Sequence, residues 1–480
     1  MQVTQLRAEL ASIEPAGSIE IRSAHRDALV AEVTDVVHDS RQASGGRLFC
    51  AVPGLSVDGH DFAPAAAREG ASALLVERFI EGDASVDALA QIKVASVRKA
   101  MPHAAAIVHG HPSNDIALVG ITGTNGKTTT THLLASIAIS ADRQCSTIGT
   151  LAGTHTTPES TELQRLLRAE VQTGSDIVAL EVSSHALDQG RVDATQFAVA
   201  AFSNLTADHL DYHGDMGSYF DAKKRLFDGR ARVELINIDD EWGAMLAGQR
   251  PDAITLSLAN VQIDTETIQG TTFQWRGHNM LVTLPGRMNV ANALMAAEAA
   301  LVLGIDEEAI VAGLRTAVAV PGRMERVPST AASQPTVFVD YSHTPDSIER
   351  ALATVRRVSN DATVTIVFGC GGDRDRSKRP LMGRAAEVGA DIVIVTSDNP
   401  RSEDPDEIIS EAVAGMTNAD AAIVEPDRRS AIRRAIINAG PNDVILIAGK
   451  GHEKTQTIGD NALPFDDVEV ARELLEATDS

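Results

Sequence analysis

One segment constrains the fold of this chain more than any other. An apolar run at residues 116–121 passes into the loop TGTNGKTT (residues 122–129) and then into a helical stretch. A short apolar run bounded by turn residues is typical of a buried parallel strand. Strand, glycine loop and helix form a phosphate cradle, in which Lys127 can reach the outer phosphates and Thr128 can bind magnesium. The loop differs from the general P-loop pattern, which has glycine where this chain has Ile121.

The alternation of apolar strands and helical segments continues along the 480 residues and predicts an α/β fold in three domains. Between about residues 254 and 285 the pattern instead alternates residue by residue, which predicts a small antiparallel sheet. The later runs are each followed by a polar loop, as in a Rossmann-like sheet. The apolar runs after the phosphate loop lie at residues 177–180, 197–202, 337–339, 364–368, 392–395 and 444–448. We predict domains at 1–110, 111–326 and 327–480.

The composition excludes several classes of protein. A net charge of -24 disfavours binding to nucleic acid or to an anionic membrane. No stretch approaches the roughly 18 apolar residues of a membrane span, and the N-terminus lacks the basic and apolar regions of a signal peptide. The three cysteines Cys50, Cys145 and Cys370 are too far apart to suggest a disulfide framework. The sequence therefore predicts a cytoplasmic protein without membrane insertion and without a nucleic-acid partner.

Two further segments carry candidate metal ligands. Glu181 ends the apolar run at 177–180, where a carboxylate beside the phosphate loop suits magnesium. Taken alone, such a residue is more often a surface residue at the end of a strand. The segment NLTADHLDYH (residues 204–213) places two His and two Asp in one loop, as a metal site or as a turn and helix cap. Leu210 follows His209, so the His-Glu-x-x-His pattern of zinc hydrolases is absent.

Together these segments resemble the Mur ligase family, whose members share a TGTxGKTT loop, a Glu on the following strand and an Asn-x-x-x-Asp-His-x-x-x-His segment. The similarity covers nearly the whole chain and is greatest to the members that add the third amino acid of the stem peptide. The additional matching segments are GRMNVAN (286–292), PGRME (321–325), DYSHTPD (340–346), DSR (39–41), DGH (58–60), EVSSHAL (181–187), GCGGDRD (369–375), DNPR (398–401) and GKGHE (449–453).

This resemblance implies an ATP- and Mg²⁺-dependent ligase of peptidoglycan synthesis that acts as a monomer. The substrates it implies are UDP-N-acetylmuramoyl-L-alanyl-D-glutamate and meso-diaminopimelate. ATP would convert the D-glutamate γ-carboxylate to an acyl phosphate, which the amine of the amino acid attacks. The three domains would bind the UDP-muramoyl substrate, ATP and the amino acid, in that order along the chain. The alternatives are the same ligase using L-lysine, and another Mur or folylpolyglutamate-type ligase. A guanine-nucleotide switch is disfavoured, because no Asn-Lys-x-Asp segment occurs.

The resemblance also implies roles for individual residues. It implies catalytic roles for Lys127, Glu181, His209 and Lys223. The implied magnesium ligands are Thr128, Glu181, His209 and Lys223, the last as a carbamate formed with carbon dioxide. Without that resemblance, Lys223 would be interpreted as a solvated helix residue. The implied ATP-binding residues are Gly123, Thr124, Asn125, Gly126, Lys127, Thr128, Thr129, Asn292, Arg323 and Asp340.

The two acceptor substrates are assigned residues in the same way. For the UDP-muramoyl dipeptide these are Ser40, Thr156, Thr157, Ser183, Gln189 and Arg191. The sequence departs from the family at His155, Ser203 and Ser342. For the amino acid the residues are Arg374, Asp398, Asn399, Pro400, Arg401, Gly449 and Glu453. Arg401 favours diaminopimelate, because a guanidinium can hold the distal carboxylate that lysine lacks, although it could instead form a surface salt bridge.

Overall fold

The computed structural model describes residues 1–13, 19–54, 56–151, 153, 155–329, 331, 333–359 and 361–478. Three sheets built mainly from parallel strands follow one another along the chain, each covered by helices. This arrangement confirms the predicted α/β class. No helix in the described ranges is both long enough and apolar enough to cross a membrane.

The N-terminal sheet has five strands in the order β1-β5-β4-β3-β2. Only β1 runs antiparallel to its neighbour. Its strands are short, and β4 is a wholly apolar run of which all four residues are buried. The elements are β1 (Glu20–Arg22), β2 (Asp35–Val37), β3 (Arg47–Cys50), β4 (Ala73–Val76) and β5 (Ala90–Lys93), with helices α1 (Val3–Ile13), α2 (Arg26–Leu29), α3 (Ala63–Glu69), α4 (Ala84–Asp87) and α5 (Val97–Val108).

The central sheet has six strands, all parallel, in the order β11-β10-β9-β6-β8-β7. The predicted strand at 116–121 lies one residue further along, and the two runs after it are confirmed. The strands are β6 (Ala117–Thr122), β7 (Cys145–Ile148), β8 (Ile177–Glu181), β9 (Phe197–Phe202), β10 (Ala231–Asn237) and β11 (Ile254–Leu256). The helices are α6 (Lys127–Ser140), α7 (Ser160–Thr173), α8 (Ser184–Asp188), α9 (Leu210–His213), α10 (Met216–Lys224) and α11 (Glu241–Gly248).

The predicted small antiparallel sheet is present as β12 (Ile263–Thr267), β13 (Gly270–Trp275) and β14 (His278–Val282). Two helices follow it, α12 (Arg287–Val302) and α13 (Glu307–Thr316). Alternate residues of β13, such as Phe273 and Trp275, face the same hydrophobic core as α6 and α12. This packing fixes α12, which carries Asn292, against the helix that begins at the phosphate loop.

The C-terminal sheet has the order β15-β16-β20-β17-β18-β19, with only β15 antiparallel. All four predicted runs are strands. The strands are β15 (Glu325–Arg326), β16 (Thr336–Asp340), β17 (Val364–Phe368), β18 (Ile392–Val395), β19 (Ile423–Val424) and β20 (Val444–Ala448), followed by the hairpin β21 (Thr455–Ile458) and β22 (Asn461–Pro464). The helices are α14 (Pro345–Val358), α15 (Lys378–Gly389), α16 (Pro405–Val413), α17 (Arg428–Asn438) and α18 (Asp467–Thr478). The domain boundaries at 110 and 326 stay a prediction.

Candidate active site

The phosphate loop joins β6 to α6 and is shaped by close contacts that only glycine permits. Gly126 has φ 89°, and a Cβ there would lie 2.3 Å from Asn292 Oδ1. A Cβ at Gly123 would lie 1.9 Å from Ser203 Oγ. Asn204 also accepts a hydrogen bond from the backbone N–H of Asn125 at 2.9 Å. The loop is therefore packed between α12 and the end of β9, with its helix N-terminus available to an anion.

Two lysine side chains converge on the same loop carbonyl. Lys127 Nζ donates to Gly123 O and to Thr124 O, both at 2.9 Å, and Lys223 Nζ donates to Gly123 O at 2.8 Å. Lys223 is only 1% exposed, so its interpretation as a solvated helix residue is wrong. Burial lowers the pKa of Lys223 well below its ordinary value, and the charge of Lys127 lowers it further. Both effects shift the protonation equilibrium of Lys223 toward the neutral amine.

Glu181 lies at the carboxyl end of β8, directly beside the phosphate loop. It is 1% exposed, so the alternative of a surface residue is wrong. Thr128 Oγ1 donates to Glu181 Oε2 at 2.9 Å, and the backbone N–H of Thr150 donates to Oε1 at 2.9 Å. Arg323 approaches the same hydroxyl, with Nη2 3.4 Å from Thr128 Oγ1. Thr150 follows β7 and is not among the predicted site residues. The carboxyl ends of parallel strands meet at the same edge of a sheet, so the loop after β7 is expected near the site.

One cleft collects most of the predicted nucleotide and metal residues. It lies between the carboxyl ends of the central strands and the start of the C-terminal domain. Every predicted ATP-binding residue except Gly123 lines it. The predicted residues along the cleft are Thr124, Asn125, Gly126, Lys127, Thr128, Thr129, Thr156, Glu181, His209, Asn292, Arg323 and Asp340.

The donor set suits magnesium better than a metal held by protein alone. Across the described ranges, no three His, Cys, Asp or Glu side chains are grouped so as to hold a metal ion. Thr128 and Glu181 instead offer a hydroxyl and a carboxylate oxygen in contact with each other. Magnesium prefers oxygen ligands and usually completes its shell with phosphate and water. These two residues fit such an ion, and His209 lines the same cleft.

The loop after β9 also links the central and C-terminal domains. Lys378 Nζ, at the first residue of α15, lies 2.5 Å from Asp208 Oδ1. Burial opposes ionisation of Asp208, but the charges of His209, His343 and Lys378 hold its pKa well below the ordinary value. Burial, together with the neighbouring His185 and Lys127, lowers the pKa of His209 to about 4, although the charge of Asp208 opposes this shift. This ion pair has no signal in the local sequence, because Asp208 and Lys378 are 170 residues apart.

Most residues predicted for the UDP-muramoyl dipeptide form one cluster behind Glu181. Thr157 Oγ1 donates to the backbone carbonyl of Glu181 at 2.8 Å, and the backbone N–H of Ser183 donates to Thr157 Oγ1 at 2.9 Å. Arg191 donates to Thr157 O at 2.9 Å and to Gln189 Oε1 at 2.8 Å. Thr156 Oγ1 lies 3.1 Å from Thr150 Oγ1. Ser40 begins a single turn in the N-terminal domain, and no hydrogen bond among the described residues joins its side chain to this cluster.

The residues predicted for the amino acid lie in loops that follow β17, β18 and β20. Asn399 Nδ2 donates to Glu453 Oε2 at 2.7 Å. Burial raises the pKa of Asp398, and a Cβ at Gly449 would lie 2.6 Å from Asp398 Oδ2. Pro400 packs closely against the loop after β17, since a Cβ at Gly372 would lie 1.9 Å from Pro400 O.

Arg374 and Arg401 approach the same stretch of the loop after β17. A Cβ at Gly371 would lie 3.2 Å from an Nη atom of Arg401 and 3.6 Å from Arg374 Cγ. Arg401 has a left-handed backbone with φ 52°. Its side chain donates to Gly372 O, and no carboxylate of the described ranges forms an ion pair with it. The alternative of a surface salt bridge at Arg401 is therefore not observed.

Comparison with known proteins places these features in context. Three family models match: "Mur ligase family, catalytic domain" at residues 32–119, "Mur ligase middle domain" at 121–300, and "Mur ligase, glutamate ligase domain" at 322–451. A UDP-N-acetylmuramoyl-L-alanyl-D-glutamate--2,6-diaminopimelate ligase of Synechococcus elongatus is 43% identical, over 93% of this chain and 94% of the relative. The ligase of the same name from Geobacillus thermodenitrificans is 43% identical, over 90% and 93%.

Solved structures agree with these sequence comparisons. A structure of a UDP-N-acetylmuramoyl-L-alanyl-D-glutamate--2,6-diaminopimelate ligase has a TM-score of 0.67 and 31% identity, and covers 100% of both chains. MurF from Acinetobacter baumannii has a TM-score of 0.65 at 20% identity, covering 96% of this chain and 100% of the other, which shows a shared fold.

Proposed function

Since this chain belongs to the Mur ligase family, we propose that it is the ATP-dependent ligase that adds meso-diaminopimelate to the D-glutamate γ-carboxylate of UDP-N-acetylmuramoyl-L-alanyl-D-glutamate. It acts in peptidoglycan synthesis and forms ADP and phosphate. One observation carries the proposal: the phosphate loop with Lys127, the carboxylate of Glu181 and Asp340 of the C-terminal domain line a single cleft. A ligase that couples ATP cleavage to amide formation needs these elements side by side.

The reaction has two steps. An oxygen of the γ-carboxylate attacks the γ-phosphorus of ATP, and ADP leaves with the electron pair of the broken P–O bond. The amine of diaminopimelate then attacks the carbonyl carbon of the acyl phosphate, and the tetrahedral intermediate expels phosphate as the nitrogen loses a proton. Activation is required because an oxide ion is a poor leaving group, whereas phosphate leaves readily. Lys127 and the loop N–H groups stabilise the charge that develops on the phosphoryl oxygens.

We propose Thr128, Glu181 and His209 as the protein ligands of magnesium. The contact between Thr128 and Glu181 supports two of the three, and the position of His209 on the same cleft supports the third. Bound there, magnesium would supply positive charge to the phosphates.

We also propose that Lys223 carries a carbamate. Its burial and the nearby charge of Lys127 support this, because the neutral amine is the form that adds to carbon dioxide. The resulting anion would be stabilised by Lys127. With isotopically labelled bicarbonate, we expect a carbamate carbon resonance in the NMR spectrum of the wild-type protein and none in Lys223→Arg. The same resonance in both proteins would contradict the assignment.

We propose that Arg401, with Arg374 nearby, binds the distal carboxylate of diaminopimelate. Replacing Arg401 with Ala should raise KM for diaminopimelate about 100-fold, because a site built for a charged partner loses its bidentate donor. KM for ATP should change little. The matched control is Arg384→Ala, since Arg384 lies on the same domain but pairs at the surface with Glu387. An equal rise of both KM values, or no rise in either, would contradict the assignment.

The direct test is product mass and phosphate release from purified protein given ATP, magnesium and UDP-N-acetylmuramoyl-L-alanyl-D-glutamate. Diaminopimelate and L-lysine are supplied in parallel reactions. We expect tripeptide product from diaminopimelate. Product from lysine alone would keep the ligase but overturn the assigned amino acid. No product from either would favour another Mur or folylpolyglutamate-type ligase.

We propose that the enzyme works in the cytoplasm as a monomer. The free thiols support a reducing compartment, since Cys50 and Cys370 are buried and unpaired with each other. Burial raises the pKa of Cys370 to about 12, so this thiol stays protonated and unreactive. Light scattering coupled to size-exclusion chromatography measures the mass in solution, and a stable dimer would contradict the proposal of a monomer.

A further inference from the structure

A lysine that solvent does not reach stands behind the predicted amino-acid pocket. Lys450 is 0% exposed. Its Nζ donates to Asn399 Oδ1 at 3.3 Å, to Glu453 Oε2 at 3.2 Å and to Thr455 O at 2.6 Å. These three acceptors match the three protons of an ammonium group. Two of the three acceptors belong to residues already assigned to the incoming amino acid.

We propose that Lys450 is a positioning residue for the amino-acid substrate: it holds the Asn399 amide and the Glu453 carboxylate in the orientation that binds a diamino acid. This inference rests on the proposed function. Lys450 itself is fully enclosed and contacts the substrate only through these neighbours. Its effect should therefore be confined to the binding of one of the three substrates.

The orientation of the Asn399 amide follows from its donors. The backbone N–H of Thr457 donates to Asn399 Oδ1 at 2.8 Å, and Lys450 Nζ donates to the same oxygen. If the amide were flipped, its NH₂ group would face these two donors and both donors would lose their acceptor. The NH₂ group is thus directed to Glu453 Oε2 and keeps a second N–H for a ligand carboxylate.

The two oxygens of the Glu453 carboxylate have different surroundings. Oε2 accepts from Asn399 Nδ2 and from Lys450 Nζ. Oε1 has no partner in the part of the chain that the structure describes, and the side chain is 32% exposed. One oxygen is therefore held from behind while the other can accept from a substrate ammonium. Diaminopimelate carries ammonium and carboxylate groups at both ends, so Glu453 complements the guanidinium of Arg401 in the adjacent loop.

A purely structural role for Lys450 is the competing explanation, because its bond to Thr455 O also ties down the hairpin of β21 and β22. The two explanations predict different measurements. Loss of a structural tie lowers the unfolding temperature and affects every substrate alike. Loss of a positioning residue raises KM for the amino acid alone, because Asn399 and Glu453 lie in that pocket and not at the phosphate loop.

The test compares steady-state kinetics of the full-length wild type with Lys450→Met, Lys450→Arg and Lys454→Met. Methionine is unbranched and only one heavy atom shorter than lysine, but it removes the charge and all three donors. We expect KM for meso-diaminopimelate to rise about 10- to 100-fold in Lys450→Met, the range for loss of charge-assisted hydrogen bonds. KM values for ATP and the UDP-muramoyl dipeptide should stay within about two-fold of wild type.

The other two variants serve as controls. Lys450→Arg keeps a cation that can donate to Glu453, so it should give an intermediate KM for diaminopimelate. If Lys450→Met does not fold, the KM of Lys450→Arg tests the inference. Lys454 lies four residues further on, 78% exposed and 3.9 Å from Asp466, so Lys454→Met should match wild type. The inference is overturned if KM for diaminopimelate is unchanged in a folded Lys450 variant, or if all three KM values rise together. Failure of the wild type to make tripeptide would overturn the proposed function instead.

Discussion

Replacing Lys127 with Ala is expected to reduce tripeptide formation by about 100- to 1,000-fold or more, the range for loss of a preorganised charge at a reacting centre. The ammonium of Lys127 lies at the phosphate loop, where it donates to Gly123 O and Thr124 O. With ATP bound, its donors can be transferred to phosphate oxygens, and alanine supplies neither charge nor donor. Phosphate release and product mass measure the loss. The effect should fall on kcat as well as on ATP binding, because negative charge shifts among the phosphoryl oxygens during transfer.

The fold should survive this substitution. Burial lowers the pKa of Lys127, which means that its charged form is held at a cost to stability. Removal of this partly desolvated cation at the phosphate loop should therefore change the unfolding temperature little. Lys99→Ala is the matched control, since Lys99 is exposed on α5 in the N-terminal domain. Retention of full activity in Lys127→Ala would contradict the role assigned to this lysine.

Replacing Glu181 with Gln is expected to lower kcat about 100-fold or more at moderate magnesium concentration. Glutamine has nearly the same shape, and its oxygen can still accept from Thr128 or Thr150, but the negative charge is lost. Magnesium binds the neutral amide oxygen of glutamine less strongly than the negatively charged carboxylate oxygen of glutamate. A titration of activity with magnesium should therefore show a higher half-saturating concentration, with partial recovery when magnesium is abundant.

The control for Glu181→Gln is Glu170→Gln. Glu170 lies on α7 in the same domain, and like Glu181 it accepts hydrogen bonds from hydroxyl groups, including Ser175 Oγ at 2.5 Å. It lies outside the cleft, so its substitution should leave the magnesium titration unchanged. If the two variants lost activity equally, the effect would reflect packing in the domain, and Glu181 would lose its assignment as a magnesium ligand.

The sequence predicted the parts of this molecule that depend on local pattern. The run at residues 197–202 is buried β9 because a continuous apolar stretch is compatible with a strand covered on both faces. The position of Glu181 at a strand end predicts that it lies beside the phosphate loop, and in the structure β8 pairs in parallel with β6. Strand type and strand ends are encoded within a few residues, which is why these predictions were possible.

Contacts between distant segments could not be predicted in this way. Lys378 belongs to an exposed-looking polar stretch, and nothing local indicates that Asp208 receives its ammonium. Lys450 stands out in the sequence only as part of the GKGHE segment, although in the folded protein it has three acceptors near the pocket. Likewise β15 is two residues long and is defined only by its pairing with β16. Each of these features is created by tertiary packing, and a single sequence contains no periodic signal for it.

The separation of the site loops between two sheets has a consequence for how such proteins diverge. The phosphate loop and Glu181 follow strands of the central sheet, whereas Asn399 and Glu453 lie in loops after β18 and β20 of the C-terminal sheet. Loops at a sheet edge can change while the buried strands beneath keep their register. A descendant lineage can therefore acquire a new amino-acid preference through the C-terminal loops alone and inherit its ATP chemistry intact. Single substitutions in these loops can change the amino-acid preference, and every intermediate protein along such a lineage keeps phosphoryl transfer.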